Sequence, residues 1–286
     1  MRIGSVETTR QITSVMKMTS AAKFQKVNQA VTHFQLYSRE LSILAASILA
    51  RLEQPPLLSR LPETEKGRRV VICIASQQGM CGAYNANIGR ETLRHIRTRL
   101  ADTLKNGNLE ICFVGQKTLT WFKDLPIMEN HSLLKLLQGF PSKKMNQEAL
   151  QPFITEYLQG KLLSLDVVYS DSSGSQAQPE VFRLLPFRPS PPQGTPPLHF
   201  GSLFEPDLKT VTDKVVFEAL HSKWHEMVMS AFKAEHEARM LAMGQATENA
   251  DKLLEELHLD YNQIRQSNIT NEILEIVNGA EAMNRG

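Results

Sequence analysis

Apolar residues near the start of the chain recur at alternating steps of three and four. Val27, Ala30, Phe34, Tyr37, Leu41, Leu44 and Ile48 form a seam of coiled-coil type. Residues 1–53 contain no proline, and Gly4 is their only glycine. The pattern predicts one long helix, stopped by Pro55-Pro56. A second proline-free stretch runs from Asp207 onward, with Gly244 and Gly279 as its interior glycines. Its seam reads Leu220, Trp224, Met227, Ala231, Ala234, Ala238 and Leu241, then slips. It resumes as Ala246, Ala250, Leu253 and Leu257, and again as Ile269, Ile273, Ile276, Ala280 and Met283. A drifting seam suits a long helix that wraps a partner better than a strict zipper.

At ~1.5 Å per residue these helices would measure about 75 Å and about 110 Å, too long for a compact domain of this size. Antiparallel pairing as one rod, with the far end of the C-terminal helix overhanging, is the economical arrangement. Two broken helices on an ordinary globule are the alternative.

Between the helices the periodicity changes to alternating strands and helices. Residues 55–69 read as a polar linker. Strands are expected at 70–76, 110–115, 165–170 and 181–187, and helices from about Asn85 to Leu104, through Trp121, and at 146–160. Six prolines between Pro186 and Pro197 exclude regular structure there. No internal repeat is evident. The expected fold class is α/β: a long antiparallel coiled coil of the N- and C-terminal helices with a central Rossmann-like α/β domain. Its divisions fall at 1–54 (N-terminal helix), 55–205 (central domain) and 206–286 (C-terminal helix).

Composition narrows the function less than charge placement does. Apolar residues make up 42% and charged residues 22%, ordinary for a globular protein, and a net charge of +2 argues against a nucleic-acid binder. Residues 1–30, however, carry Arg2, Arg10, Lys17, Lys23 and Lys26 against Glu7 alone, which favours acidic partners. Cys73, Cys81 and Cys112 form no CxxC pair and no disulfide framework, as expected in a reducing compartment. Cys73 and Cys112 sit in strand-like apolar runs and should behave as small buried hydrophobes. The most apolar stretch, residues 41–52, is too short to span a bilayer, and the N-terminus lacks a signal layout. The expectation is a soluble or peripheral chain.

Few residues suggest chemistry. The turn Gln78-Gly79-Met80-Cys81-Gly82 follows the first strand but lacks the spacing of a dinucleotide fingerprint, and no phosphate loop occurs anywhere. A tight strand-to-helix turn explains it. Cys81 loosely resembles a nucleophile on a sharp turn, yet no histidine is placed by sequence to activate it. His221, His225 and Glu218 share a helical stripe, which fits a metal face or a solvated surface. Arg265 and Gln266 read, on physics alone, as an exposed polar pair. No catalytic residue, cofactor or metal is expected.

Two longer segments carry a resemblance. TTRQITSVMKMTSAAKFQKV at 8–27 and EHEARMLAMGQATENADKLLEELHLDYNQIRQSNITNEILEIVNGAEAM at 235–283 resemble the terminal helices of the gamma subunit of F-type ATP synthases. GMCGAYNAN at 79–87, residues 162–187 and Phe204-Glu205-Pro206-Asp207 are similar to its middle segments, in the same order. The resemblance implies a non-catalytic rotor shaft within a ring of alpha and beta subunits. It also implies an α/β foot on the c-ring beside the epsilon subunit, peripheral to the cytoplasmic face of a bacterial inner membrane. No nucleic acid and no direct nucleotide binding are implied. By motif position, Arg265 and Gln266 match the pair that touches an acidic catch loop of beta. Met16 matches the position where the shaft enters the ring, with Lys17 and Lys23 on the same basic helix, and Glu205 matches the foot position facing the c-ring.

The sequence also departs from the family pattern. SQQGMCG stands where the family usually has Asp-Arg before the glycine, Lys17 changes the local charge, and the 186–197 loop is unusually rich in proline. The chain also starts several residues late and runs on as Asn284-Arg285-Gly286. Such departures are expected of a divergent member, for example one from an alternative ion-pumping ATPase. The regulatory cysteine insert of the plastid form is missing, so thiol control is not expected. Two other readings stay open: a free-standing nucleotide-dependent α/β enzyme and a structural coiled-coil adaptor.

Overall fold

A computed structural model describes residues 2–62, 67–123, 134–136, 149–171, 177–189, 205 and 207–284, with backbone alone at 134–136 and 281–284. The chain divides into two compact units, Met1–Ser20 with Met240–Gly286 and Ala21–Arg239. Both draw on the two terminal helices, α1 (Arg2–Leu49) and α6 (Leu208–Asn284).

In the first unit the helices pair antiparallel through polar residues. Arg10 forms an ion pair with Asp251. The Thr247 hydroxyl donates to that of Thr13 at 2.9 Å. Gly244 faces the aliphatic stem of Lys17, whose Cε would lie 3.6 Å from a Cβ built on the glycine. Ile3, Val6, Arg10, Thr13, Lys17 and Ser20 keep steps of three and four, so a heptad runs through this stretch even though most of its members are polar. On α6 the positions that keep this spacing, Met240, Met243, Thr247, Ala250, Leu254 and Leu257, are all buried or half-buried. From His258 to Ala280 every residue is exposed.

In the second unit the same spacing continues through Phe24, Val27, Val31, Phe34, Ser38, Leu41, Ala45 and Ile48. The Ser38 hydroxyl donates to a Glu226 carboxylate oxygen at 2.6 Å, and Phe34 meets His225 edge to face at 4.7 Å. This corrects the apolar seam read from the sequence. Val27, Phe34, Leu41 and Ile48 belong to it, but Ala30 and Tyr37 are exposed and Leu44 is half-buried, while Val31, Ser38 and Ala45 are buried. Leu241 and Leu253 are likewise exposed rather than in the seam. The spacing and every second position were right, and the intervening positions were placed one residue early, because Ser38 is satisfied by a carboxylate instead of being excluded from the interface.

The second unit also holds a five-stranded sheet. β1 (Arg68–Ile74) leads to α2 (Tyr84–Arg99) and the short α3 (Ala101–Lys105), then β2 (Leu109–Val114) and α4 (Gln116–Lys123). β3 (Leu134–Leu136), α5 (Gln151–Leu158), β4 (Leu162–Asp171) and β5 (Gln178–Leu185) follow. The order is β3-β2-β1-β4-β5, parallel except for the antiparallel edge strand β5. Strand alternation divides the core in two. Val70, Ile72 and Ile74 of β1 face α5, α6 and Ala45 of α1, while Val71 and Cys73 face α2 and α4.

Four strands fall close to their expected positions, and β3 was missed because Leu-Lys-Leu is too short to show a period. The expected helix from Asn85 to Leu104 is interrupted at Leu100, whose φ of −127° lies outside the helical range and separates α2 from α3. Of the expected helix at 146–160, residues 146–148 lie outside the described residues, as does most of the proline-rich loop. Cys73 and Cys112 are buried and form no disulfide, and burial pushes the Cys73 thiol up to about 12.

Candidate partner surfaces and the crevice of the sheet

The parallel strands β3-β2-β1-β4 have the order of a doubly wound fold, in which ligands usually sit beyond the carboxyl ends of the strands where the order reverses. Here that place, beyond β1 and β4, is taken by α6. Arg239 donates through Nη2 to the Gln78 carbonyl (3.0 Å) and through Nε to that of Gly79 (3.4 Å), and pairs with Glu235 at 2.7 Å. The Tyr84 hydroxyl donates to the Ala231 carbonyl at 3.0 Å, and Ser230 donates to Asp171 at the carboxyl end of β4 at 3.3 Å. The turn after β1 thus acts as a socket for a helix.

Within that socket Met80 adopts a left-handed φ of 61°, and Gly82 one of 57°. Cys81 is buried against Ser76 and Asn85, whose Nδ2 donates to the sulfur at 3.2 Å. Glu235 and Arg239 are both buried. Burial raises the Glu235 pKa, while Arg239 and then Lys23 pull it down, leaving it above the ordinary value. Burial, Arg239 and Lys23 together push His236 down to about 4.

A second cluster lies on the α2 side of the sheet. Asp166 is buried near the middle of β4, with His95 Nε2 3.0 Å from one carboxylate oxygen and Arg183 donating to the other at 2.8 Å. Burial raises the Asp166 pKa, but the hydrogen bonds from His95 and Arg183 outweigh it and hold the carboxyl below its usual range. A hollow of about 680 Å³ opens beside this cluster.

His221 and His225 do not converge on a shared site. The His221 ring packs on Phe217 at 4.4 Å and that of His225 on Phe34. Burial keeps the His221 pKa low. Among the described residues, no group of three or more His, Cys, Asp or Glu side chains could hold a metal ion.

The residues singled out from sequence fall in both units. Met16 is half-buried in the first, where Lys17 is exposed with its stem along Gly244. Arg265 and Gln266 are exposed on the same unit's unpaired stretch of α6. Their neighbours Tyr261, Ile264 and Ile269 are exposed as well, so the pair stands among bare apolar side chains. Lys23 and Glu205 belong to the second unit and are both exposed, Lys23 near enough to Glu235 to influence its ionisation. Sequence reading missed Glu235, Arg239 and Asp166. The signals were an i,i+4 carboxylate–guanidinium pair beside a seam and a lone acid inside the apolar run LDVVYS.

A family model described as ATP synthase matches residues 1–283. The ATP synthase gamma chain of Flavobacterium psychrophilum is 32% identical over 285 residues, covering 99% of this chain and 96% of that one. That of an Anaeromyxobacter species is 33% identical over 290 residues, with 99% and 97% covered. The solved rotor of the Euglena gracilis mitochondrial ATP synthase shares the fold, with a TM-score of 0.59 at 18% identity over 94% of this chain and 96% of that one. The length and level of these matches leave one assignment: the chain belongs to the gamma-chain family of the ATP synthases.

Proposed function

We propose that this gamma chain, the central-stalk rotor subunit of an F-type ATP synthase, has no active site of its own and couples ion flow to ATP chemistry by turning inside its partners. The exposed end of α6 carries the proposal. Between His258 and Ala280 the apolar residues Leu259, Tyr261, Ile264, Ile269, Leu274 and Ile276 are bare. At about 100° per residue they point all round the helix axis rather than to one side. A helix of that kind needs cover on every side, as the hole of a ring provides.

In this reading residues 1–54 and 206–286 are the shaft, and 55–205 form the foot. The alpha and beta subunits surround the shaft, and the foot meets the epsilon subunit and the c-ring. The chain is then a peripheral component on the cytoplasmic face of a bacterial inner membrane. Different contacts at each angle of an asymmetric shaft bias the beta sites toward different affinities. Arg265 and Gln266 meet an acidic loop of beta, Met16, Lys17 and Lys23 face the ring opening, and Glu205 faces the c-ring.

The test is ATP-driven ion pumping by the reconstituted complex. Arg265→Ala should lower pumping by about tenfold, with Arg265→Lys recovering part, because a guanidinium fork grips a carboxylate in two places. Circular dichroism of the isolated chain should be unchanged. Equal pumping by wild type and Arg265→Ala contradicts the assigned contact, and micromolar binding of Mg-ATP to the isolated chain contradicts the absence of a nucleotide site.

A further inference from the structure

The chain leaving α1, the end of α5 and the first turns of α6 border an open hollow of about 1120 Å³ within the second unit. Small-molecule pockets commonly measure about 300–1,000 Å³, so the hollow has room for a large ligand and far more than a lone ion fills. Leu52, Leu57, Leu158, Leu208, Val216 and Phe217 supply an apolar wall. Leu57, Leu158 and Leu208 are exposed, three leucines from three distant parts of the chain turned onto one hollow. Arg51, Arg60, Lys209 and Lys214 also line it, against the two acids Glu53 and Asp213. No ion pair engages Arg60 or Lys214 among the described residues. The one side-chain hydroxyl among the described lining residues, that of Thr212, already donates to the Leu208 carbonyl at 2.6 Å.

We propose that this hollow binds a free long-chain carboxylate, its hydrocarbon on the leucine wall and its head among the cations. Covering exposed leucines with a hydrocarbon chain is favourable, and such a chain needs no hydrogen bonds from a wall that has few to offer. Four cations against two carboxylates favour an anionic head over a neutral or cationic one. A nucleotide or free phosphate would leave the leucines bare, and its multiple charge would meet Glu53 and Asp213. A lipid in a bilayer keeps its chains within the bilayer, so a protein hollow that covers hydrocarbon suits a free amphiphile. The site draws on the second unit alone and stands whether or not the chain turns inside a ring.

The experiment uses the full-length chain and fluorescence titration below the micelle concentration of the probe. The probe is palmitate carrying a fluorophore at its methyl end, compared with its uncharged primary amide. Binding should saturate, with the acid at least about tenfold tighter than the amide, a difference of one decade. Lys209→Gln with Lys214→Gln, both exposed positions, should bring the acid to within about twofold of the amide. Leu57→Asp with Leu208→Asp should weaken acid and amide alike by at least about tenfold, because the wall is lost to both. Arg2→Gln with Lys252→Gln, an equal loss of exposed charge elsewhere, should change binding less than about twofold. Equal binding of acid and amide, unsaturable binding, or an equal loss in the control variant overturns the proposal. So does tighter binding to phosphatidylglycerol vesicles that the same leucine substitutions abolish, which would mark the hollow as a contact with a lipid surface.

Discussion

The guanidinium of Arg239 donates a hydrogen bond of 3.0 Å to the main-chain carbonyl of Gln78, fastening α6 to the turn that follows β1. That contact lies where doubly wound proteins commonly hold a ligand, and it is completed by Glu235 at 2.7 Å. The crevice where such folds commonly hold a small molecule holds a helix here.

Breaking this buried pair from one side should be costly. Arg239→Met leaves the Glu235 carboxylate buried without its partner and frees two turn carbonyls. A loss of about 3 kcal/mol is expected from urea unfolding, and Glu235→Leu combined with Arg239→Met should recover most of it. Additive losses in the double variant would contradict the pairing.

Gly115 ends β2 at a left-handed φ of 98°, and a Cβ there would lie 2.3 Å from the Ala75 carbonyl oxygen. Neither the backbone angle nor the neighbouring main chain can yield. Gly115→Ala should therefore cost more than about 2 kcal/mol. Gly107 has a similar φ of 70° but open space around it, and Gly107→Ala should cost about 1 kcal/mol. Equal effects at the two positions would show that the Ala75 contact is unimportant.

Asp166 gives stability a defined pH dependence. Its carboxyl titrates below the ordinary value in the folded chain, because the hydrogen bonds from His95 and Arg183 exceed the opposing effect of burial. The folded state thus binds fewer protons than the unfolded state, and the stabilisation is present above the unfolded pKa of about 4. It is lost as pH falls through the folded value. Asp166→Asn should lower stability at pH 7 by about 2 kcal/mol and flatten the decline on the acid side. An unchanged acid limb in thermal melts would rule out this source.

Element types were readable where side chains announce them. β1 and β4 carry long apolar runs, and the proline-free ends left little but helix. The shaft's own contacts were less readable. Arg10, Thr13, Lys17, Ser20 and Ser38 hold heptad positions, and a search for apolar residues passes over them toward Tyr37 and Leu241, which are exposed. Their fitness for the interface comes from partners more than two hundred residues away in the chain for Arg10 and Thr13, which a local pattern cannot encode. The Arg239 socket escaped notice for the same reason, since its acceptors are main-chain carbonyls of a distant turn.

Hydrogen exchange along α6 tests the rotor account most directly. In the isolated chain, amides between His258 and Ala280 should exchange quickly, since none of the other described residues covers them, while those around Met243 and Ala250 are slower. In the assembled complex with alpha and beta subunits, the 258–280 amides should become protected by at least about tenfold, a shift of one decade in the opening equilibrium. Exchange at 258–280 that is the same in the free chain and the complex would contradict a shaft enclosed by its partners.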